Sequence, residues 1–259
     1  MKLLDSLKNS NRKRKTIWVD GHAKDLAVLN EFSALKELRL YRVSKKNIQV
    51  LRELNLPNLE TLTIRLATFP DLTSIAHIQS ITTLVVWQCS KLRSLAGLGS
   101  IGQLRELGLM QNGPIEKLDP IAALGNLEKL TLNGGLFVNQ KASSFAPIGR
   151  LGKKLKLLDL TRVRLENPDL RPLTLLPEPD EFGISARFYP LEQIAMLAAA
   201  FPKWGHQLLH LEENPYSKCK KCGGPKLVLF KARSRDACPH CDKERLEKFF
   251  SEFHGLVDQ

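Results

Sequence analysis

The chain has 259 residues, 43% of them hydrophobic and 25% charged, with 39 Lys and Arg against 27 Asp and Glu for a formal net charge of +12. No window approaches the ~20 apolar residues of a membrane span, and no signal-peptide apolar stretch follows the N-terminal cations, which argues for a soluble, unexported protein. Four of the five cysteines fall in two C-x-x-C pairs, which fits a reducing compartment, by default the cytoplasm, better than a disulfide framework. The length calls for two domains or for one elongated domain with an appendage. The charge favours acidic partners, whether protein, nucleic acid or an anionic surface.

In chain order, the run Arg12, Lys13, Arg14 and Lys15 reads as a solvated cap before a first strand at Ile17 and Val19. Six copies of an L-x-x-L-x-L pattern then start at Leu35, Leu59, Ile81, Leu104, Leu127 and Leu155, at intervals of 24, 22, 23, 23 and 28 residues. Self-similarity of this kind overrides the local reading of any one segment. The period-two alternation within each copy, as in Leu38/Leu40 and Leu84/Val86, predicts a short strand. Between copies, apolar residues recur every third position, as in Leu72/Ile75/Ile78 and Leu92/Leu95/Leu98, which suits 3₁₀ turns better than long helices.

The longest interval holds an insertion, Gly134 to Lys141. Its two glycines permit a sharp exit, and its apolar Leu136, Phe137 and Val138 leave open whether it projects or folds back over the core. A weaker strand follows at Phe182 and Ile184, bringing the count to about eight. A lone unit cannot bury enough apolar surface to offset the cost of ordering it, so the units must stack and the stack must be capped. Leu191 to Phe201, rich in strong helix formers and stopped by Pro202, predicts the terminal cap. A membrane-surface helix is the weaker alternative, because its polar face is short and poor in Lys and Arg.

Cys219-Lys-Lys-Cys222 and Cys238-Pro-His-Cys241 lie 15 residues apart, the spacing of a structural four-cysteine zinc site. Two residues between thiols let one tight turn aim both sulfurs at one metal. A segment of this size buries too little surface to fold unaided, and zinc binding of about 10 kcal/mol or more supplies the deficit. A redox pair is the competing reading, with His240 a possible extra ligand. Lys226 to Phe230 predicts a strand between the knuckles, and Leu246, Phe249, Phe250 and Phe253 predict a helix over Lys243 to Phe253. Lys218, Lys220, Lys221, Lys231, Arg233 and Arg235 surround the site and could grip phosphates.

The repeats from about Leu35 to Pro177 resemble the short, internalin-like class of bacterial leucine-rich repeats. The ninth position, Asn or Cys in that family, holds Cys89 in one unit and Asn112 in the next, and Asp119-Pro120-Ile121 echoes the family's polar-Pro opening of the convex segment. The resemblance implies an α/β solenoid: a leucine-rich repeat horseshoe with a concave parallel sheet of about eight strands, plus a small C-terminal zinc ribbon. It divides the chain into a capped solenoid, 1–202, a linker, 203–216, and a ribbon with a C-terminal helix, 217–259. It also makes Cys89 a buried structural thiol.

In such a strand the first, fourth and sixth positions point inward and the third, fifth, seventh and eighth outward. The outward set includes Trp18, Arg39, Tyr41, Arg42, Arg65, Trp87, Met110 and Arg162, residue types enriched in interface cores, and these are the candidate partner-binding residues. The alternative is that Trp18 packs beneath the N-terminal cap and the others are ordinary exposed residues. The chain carries no Walker loop, G-x-S-x-G elbow or H-E-x-x-H, and its histidines are dispersed. A ligase-like effector would need more than one four-ligand metal site. The expectation is a non-enzymatic module that binds an acidic protein, in the manner of a toxin-neutralising immunity protein or an adaptor. Nucleic-acid binding through the basic ribbon and N-terminus is the alternative.

Overall fold

The computed structural model describes residues 3–44, 47–135, 139–211, 213–229 and 236–258. Strands β1 (Thr16–Asp20), β2 (Glu37–Tyr41), β3 (Thr61–Arg65), β4 (Thr83–Trp87), β5 (Glu106–Met110) and β6 (Lys129–Asn133) follow one another in a parallel sheet. After a short β7 (Gln140–Ala142), strands β8 (Leu157–Leu160) and, beyond β9 (Val163–Leu165), β10 (Glu181–Ile184) complete its eight strands. The register puts one inward residue of each strand in a single row: Ile17, Leu38, Leu62, Leu84, Leu107, Leu130, Leu158 and Phe182. All eight are buried. Slipping any strand by one residue would carry its leucines to the solvent face, so the repeat fixes the register.

Five strands, β2, β3, β4, β5 and β8, leave the sheet through a left-handed residue at the eighth position of the repeat. Arg42, Leu66, Gln88, Gln111 and Arg162 have φ of 59°, 58°, 57°, 53° and 56°. At the ninth position Val43, Ala67, Cys89, Asn112 and Val163 turn back into the core. Asn112 supplies hydrogen bonds that the turning backbone lacks. Its Nδ2 donates to the Val86 carbonyl at 2.8 Å and its Oδ1 accepts from the Cys89 amide at 3.0 Å. Cys89 accepts from the Ala67 amide at 3.4 Å, and burial pushes its thiol up to about 11, as a structural role requires.

The convex side consists of 3₁₀ segments at Leu26–Glu31, Leu98–Ser100, Asp119–Ala123 and Arg171–Leu175, with one-turn helices α1 (Ile48–Arg52) and α2 (Ala146–Gly149). Pro120, Pro147 and Pro172 sit in first turns, where a missing amide costs nothing and a fixed φ helps. At the insertion, Gly135 takes φ 82° as the chain exits. Leu136, Phe137 and Val138 lie outside the described residues, so the two readings of that trio stay open. Beyond them β7 pairs in parallel with β9, a second small sheet interrupting the regular array.

Both ends are closed. At the N-terminus Arg12 donates to Glu31 and to the Leu7 and Ser10 carbonyls and lies 4.9 Å from the Phe32 ring centroid, while Lys13, Arg14 and Lys15 are exposed. At the other end α3 (Leu191–Ala200) buries Leu191, Ile194, Ala195, Leu197 and Ala198. The segment expected as a linker begins folded, with a 3₁₀ turn at Pro202–Trp204 and helix α4 (Gly205–Leu208). Trp204 Nε1 and Lys203 Nζ donate to the Pro179 and Asp180 carbonyls at 3.0 and 2.9 Å, tying it to the last repeat. An antiparallel hairpin follows, β11 (Glu213–Lys218) with β12 (Pro225–Leu227), so the strand expected over Lys226 to Phe230 starts one residue earlier and ends at Leu227, leaving out Val228 and Leu229; Phe230 lies outside the described residues. Helix α5 (Lys243–Val257) runs four residues past its expected end, buries Leu246, Phe249 and Phe253, and packs on α3.

Candidate partner face and metal centre

The two knuckles form for local reasons. Gly223, at φ 71°, closes the first turn by donating its amide to the Cys219 carbonyl at 2.9 Å, and the Cys219 amide returns to Gly224 at 2.8 Å. In the second, Asp242 Oδ2 accepts from the Cys238 amide at 2.8 Å at the start of α5. The Sγ atoms of Cys219, Cys222, Cys238 and Cys241 all lie within 4.8 Å of one another, and Cys222 and Cys238 are 3.5 Å apart. A tetrahedral site with zinc–sulfur bonds of about 2.3 Å has sulfur–sulfur edges of about 3.8 Å, so the cluster fits such an ion.

The four thiols also perturb one another's ionisation. Hydrogen bonds from the Cys222 and Lys221 amides hold the Cys219 thiol down to about 6, while its hydrogen bond with Cys222 and burial push Cys241 up to about 12. Four thiolates at this spacing repel one another, and a divalent cation removes that conflict. All five cysteines are free, and His240 is exposed and outside the four-sulfur group. Lys231, Arg233 and Arg235 lie outside the described residues.

On the concave face, β1 to β5 bring most of the predicted partner residues together. Trp18 pairs in register with Arg39, whose guanidinium lies 4.6 Å from the indole centroid. Tyr41, Arg65, Trp87 and Met110 form one row across β2 to β5, and Arg65 stacks on Trp87 at 4.0 Å. Arg42, just past β2, pairs with Asp20. Burial opposes ionisation of Asp20, but hydrogen bonds from Arg42 and His22 hold its carboxyl below the usual range. Arg162 stands apart, following β8 beyond the insertion.

The indole Nε1 atoms of Trp18 and Trp87 are enclosed and have no acceptor among the described residues. Trp18 is half-buried on the sheet face, its ring covered by Arg39. Three features of this face escaped the sequence reading. Asp20 anchors Arg42. Gln88 links Arg65 to Gln111, accepting at 2.9 Å and donating at 3.1 Å, so the eighth positions of two neighbouring units form a short polar ladder beside the aromatic row. At the far end of the sheet Asp159, Thr161, Glu181, Gly183, Trp204 and Gln207 line a cavity of ≈ 440 Å³. The recurrence of position eight was the available signal for the ladder; the cavity depends on how the post-cap segment folds back and had none.

The eight-stranded sheet, its left-handed exits and its 3₁₀ convex side define a leucine-rich repeat solenoid. The sequence matches no protein-family model and no curated protein. Among solved structures, an internalin from Listeria monocytogenes superposes with a TM-score of 0.50 at 16% identity, covering 72% of this chain and 58% of that one. A leucine-rich repeat protein from Leptospira interrogans gives a TM-score of 0.49 at 20% identity, over 67% of this chain and 43% of that one. Internalin C2 of Listeria monocytogenes gives 0.45 at 23%, over 70% and 73%. Identities this low speak to the fold alone, and the chain spans little more than half the length of the first internalin. Among the described residues no helix is long and apolar enough to cross a membrane.

Proposed function

We propose that this is a non-enzymatic, cytoplasmic protein-binding module whose concave sheet docks an acidic protein through Trp18, Arg39, Tyr41, Arg42, Arg65, Trp87 and Met110, with Arg162 at the far end of the groove. The observation that carries this reading is the pair of guanidinium–indole stacks, Arg39 on Trp18 and Arg65 on Trp87, each leaving an indole N–H without an acceptor. A desolvated donor with no partner is costly. A partner carboxylate would supply the acceptor that each indole lacks, beside arginines that Glu37 and Gln88 already hold in place. Arg, Trp, Tyr and Met are also the residue types that concentrate binding energy in interface cores.

In this reading Cys219, Cys222, Cys238 and Cys241 hold a structural zinc ion, supported by the fit of four mutually close thiols to a tetrahedral ion. The working division is a capped solenoid, 1–202, a connecting segment, 203–216, and a zinc ribbon, 217–259. A compact repeat scaffold with a closed metal site suits a toxin-neutralising immunity protein or an adaptor, a role assigned by analogy of architecture.

The test is affinity capture from a lysate of the native host, with and without nuclease, using the wild type and the Tyr41→Ala and Trp87→Ala variants. A nuclease-resistant protein that both variants lose, with their melting transitions unchanged, supports the reading. Capture that vanishes with nuclease, or variants that bind normally, would remove it.

A further inference from the structure

Tyr216 is 97% exposed, the most exposed large apolar side chain among the described residues. It stands on β11 two residues before Lys218, in a strand whose pairing with β12 shifts register between Glu213 and Lys218. The adjoining knuckle exposes Lys220 and Lys221, whereas the half-buried Lys226, next to Pro225, the register partner of Lys218, leaves the opposite face of the hairpin. Among the described residues none of these four lysines forms an ion pair. Among the described residues, the hairpin therefore presents its ring to solvent beside cations that no carboxylate pairs.

The chemistry of this patch differs from that of the concave sheet. Lysine is depleted in protein–protein interface cores, where arginine is enriched. It is, however, a common phosphate contact, and an exposed aromatic ring beside a cationic track is the combination by which proteins hold single strands without reading their sequence. A four-thiolate zinc site would carry a charge of about −2, which four lysines exceed. A lone ring on a small hairpin reaches only bases already out of a duplex stack.

We propose that this end of the hairpin binds single-stranded nucleic acid, with Tyr216 stacking on a base and Lys218, Lys220 and Lys221 contacting phosphates. The site is separate from the concave face and does not depend on it.

The test is fluorescence anisotropy of a labelled oligothymidylate with the full chain across a salt series, with polyglutamate as a competitor that has the charge and no bases. Expected are binding that weakens steeply with salt, a loss on the order of tenfold or more in Tyr216→Ala, and retention in Tyr216→Phe and in Trp87→Ala. Lys218→Gln and Lys220→Gln should each reduce the logarithmic salt slope by about 0.7. No binding at low salt, or binding indifferent to Tyr216→Ala, would overturn the proposal. So would polyglutamate competing as well as unlabelled oligothymidylate, which would make the patch a dock for acidic protein.

Discussion

The solenoid and the ribbon meet the same thermodynamic demand by opposite means. In the solenoid every strand repeats the layer before it, so the row from Ile17 to Phe182 is covered on both sides by its own kind and closed at the ends by Arg12 with Phe32 and by α3. The ribbon has no such redundancy. Leu229, Ala237, Leu246, Phe249 and Phe253 are its buried apolar residues among those described, and four thiols converge beside them. A repeat array spreads its stability over nearest-neighbour interfaces, whereas a small metal domain concentrates it at one point. Damage should therefore be graded in the solenoid and all-or-none in the ribbon.

The largest effect expected is on the ribbon. On the proposed zinc assignment, removing the metal with a strong chelator, or replacing Cys238 with Ser, should cost about 10 kcal/mol or more of ribbon stability. Limited proteolysis should then cut within residues 213–258 while a fragment close to 1–202 survives, and elemental analysis should find about one zinc per untreated chain. Because α5 packs on α3 through a face bearing Phe249 and Phe253, the surviving solenoid should also melt somewhat lower, having lost cover over its cap. If chelation unfolded both regions in one transition, or changed neither, the contrast between distributed and concentrated stability would fail.

A medium effect belongs to the solenoid interior. Asn112→Ala should leave the Cys89 amide and the Val86 carbonyl buried without partners, costing about 2–6 kcal/mol in all at 1–3 kcal/mol for each orphaned group. Chemical denaturation should register that loss while metal content stays the same. A variant that also released zinc would show that the two regions share one cooperative unit.

What was legible in advance follows the same division. Period-two leucines at near-constant spacing named each inner strand, because one buried face leaves no freedom of register, and the C-x-x-C spacing named the thiol cluster because two residues suffice for one knuckle. The short β7–β9 sheet was not legible, since an insertion breaks the period on which such reading relies. Nor was the folding of Pro202 to Leu208 against the last repeat, where a tryptophan N–H meets a single carbonyl in a segment too short to show periodicity. Of the concave face, the outward residues could be read from alternation, but Asp20 beneath Arg42 could not, because its role comes from a neighbouring strand rather than from its own.

The smallest effect bears most directly on how the two regions turn their chains. The solenoid places non-glycine residues at φ between 53° and 59° at five strand exits, whereas the ribbon places Gly223 at 71°. A left-handed conformation costs an ordinary side chain roughly 1–2 kcal/mol, and asparagine bears it better. Leu66 pays that strain while remaining 45% exposed, and its amide bond to the Trp87 carbonyl at 3.0 Å is independent of its side chain. Leu66→Asn should therefore stabilise the solenoid by about 0.5–1 kcal/mol in denaturant titration. In the ribbon, a Cβ at Gly223 would meet no atom within 4 Å, so Gly223→Ala isolates the backbone cost of about 1 kcal/mol, read as roughly fivefold weaker metal affinity. If Leu66→Asn instead destabilises, its side chain is packing against neighbouring repeats, and the strand exits are held by side-chain contact as well as by the backbone ladder. The turn chemistry of the two regions would then differ in kind, because the knuckle has no contact of that sort to lose.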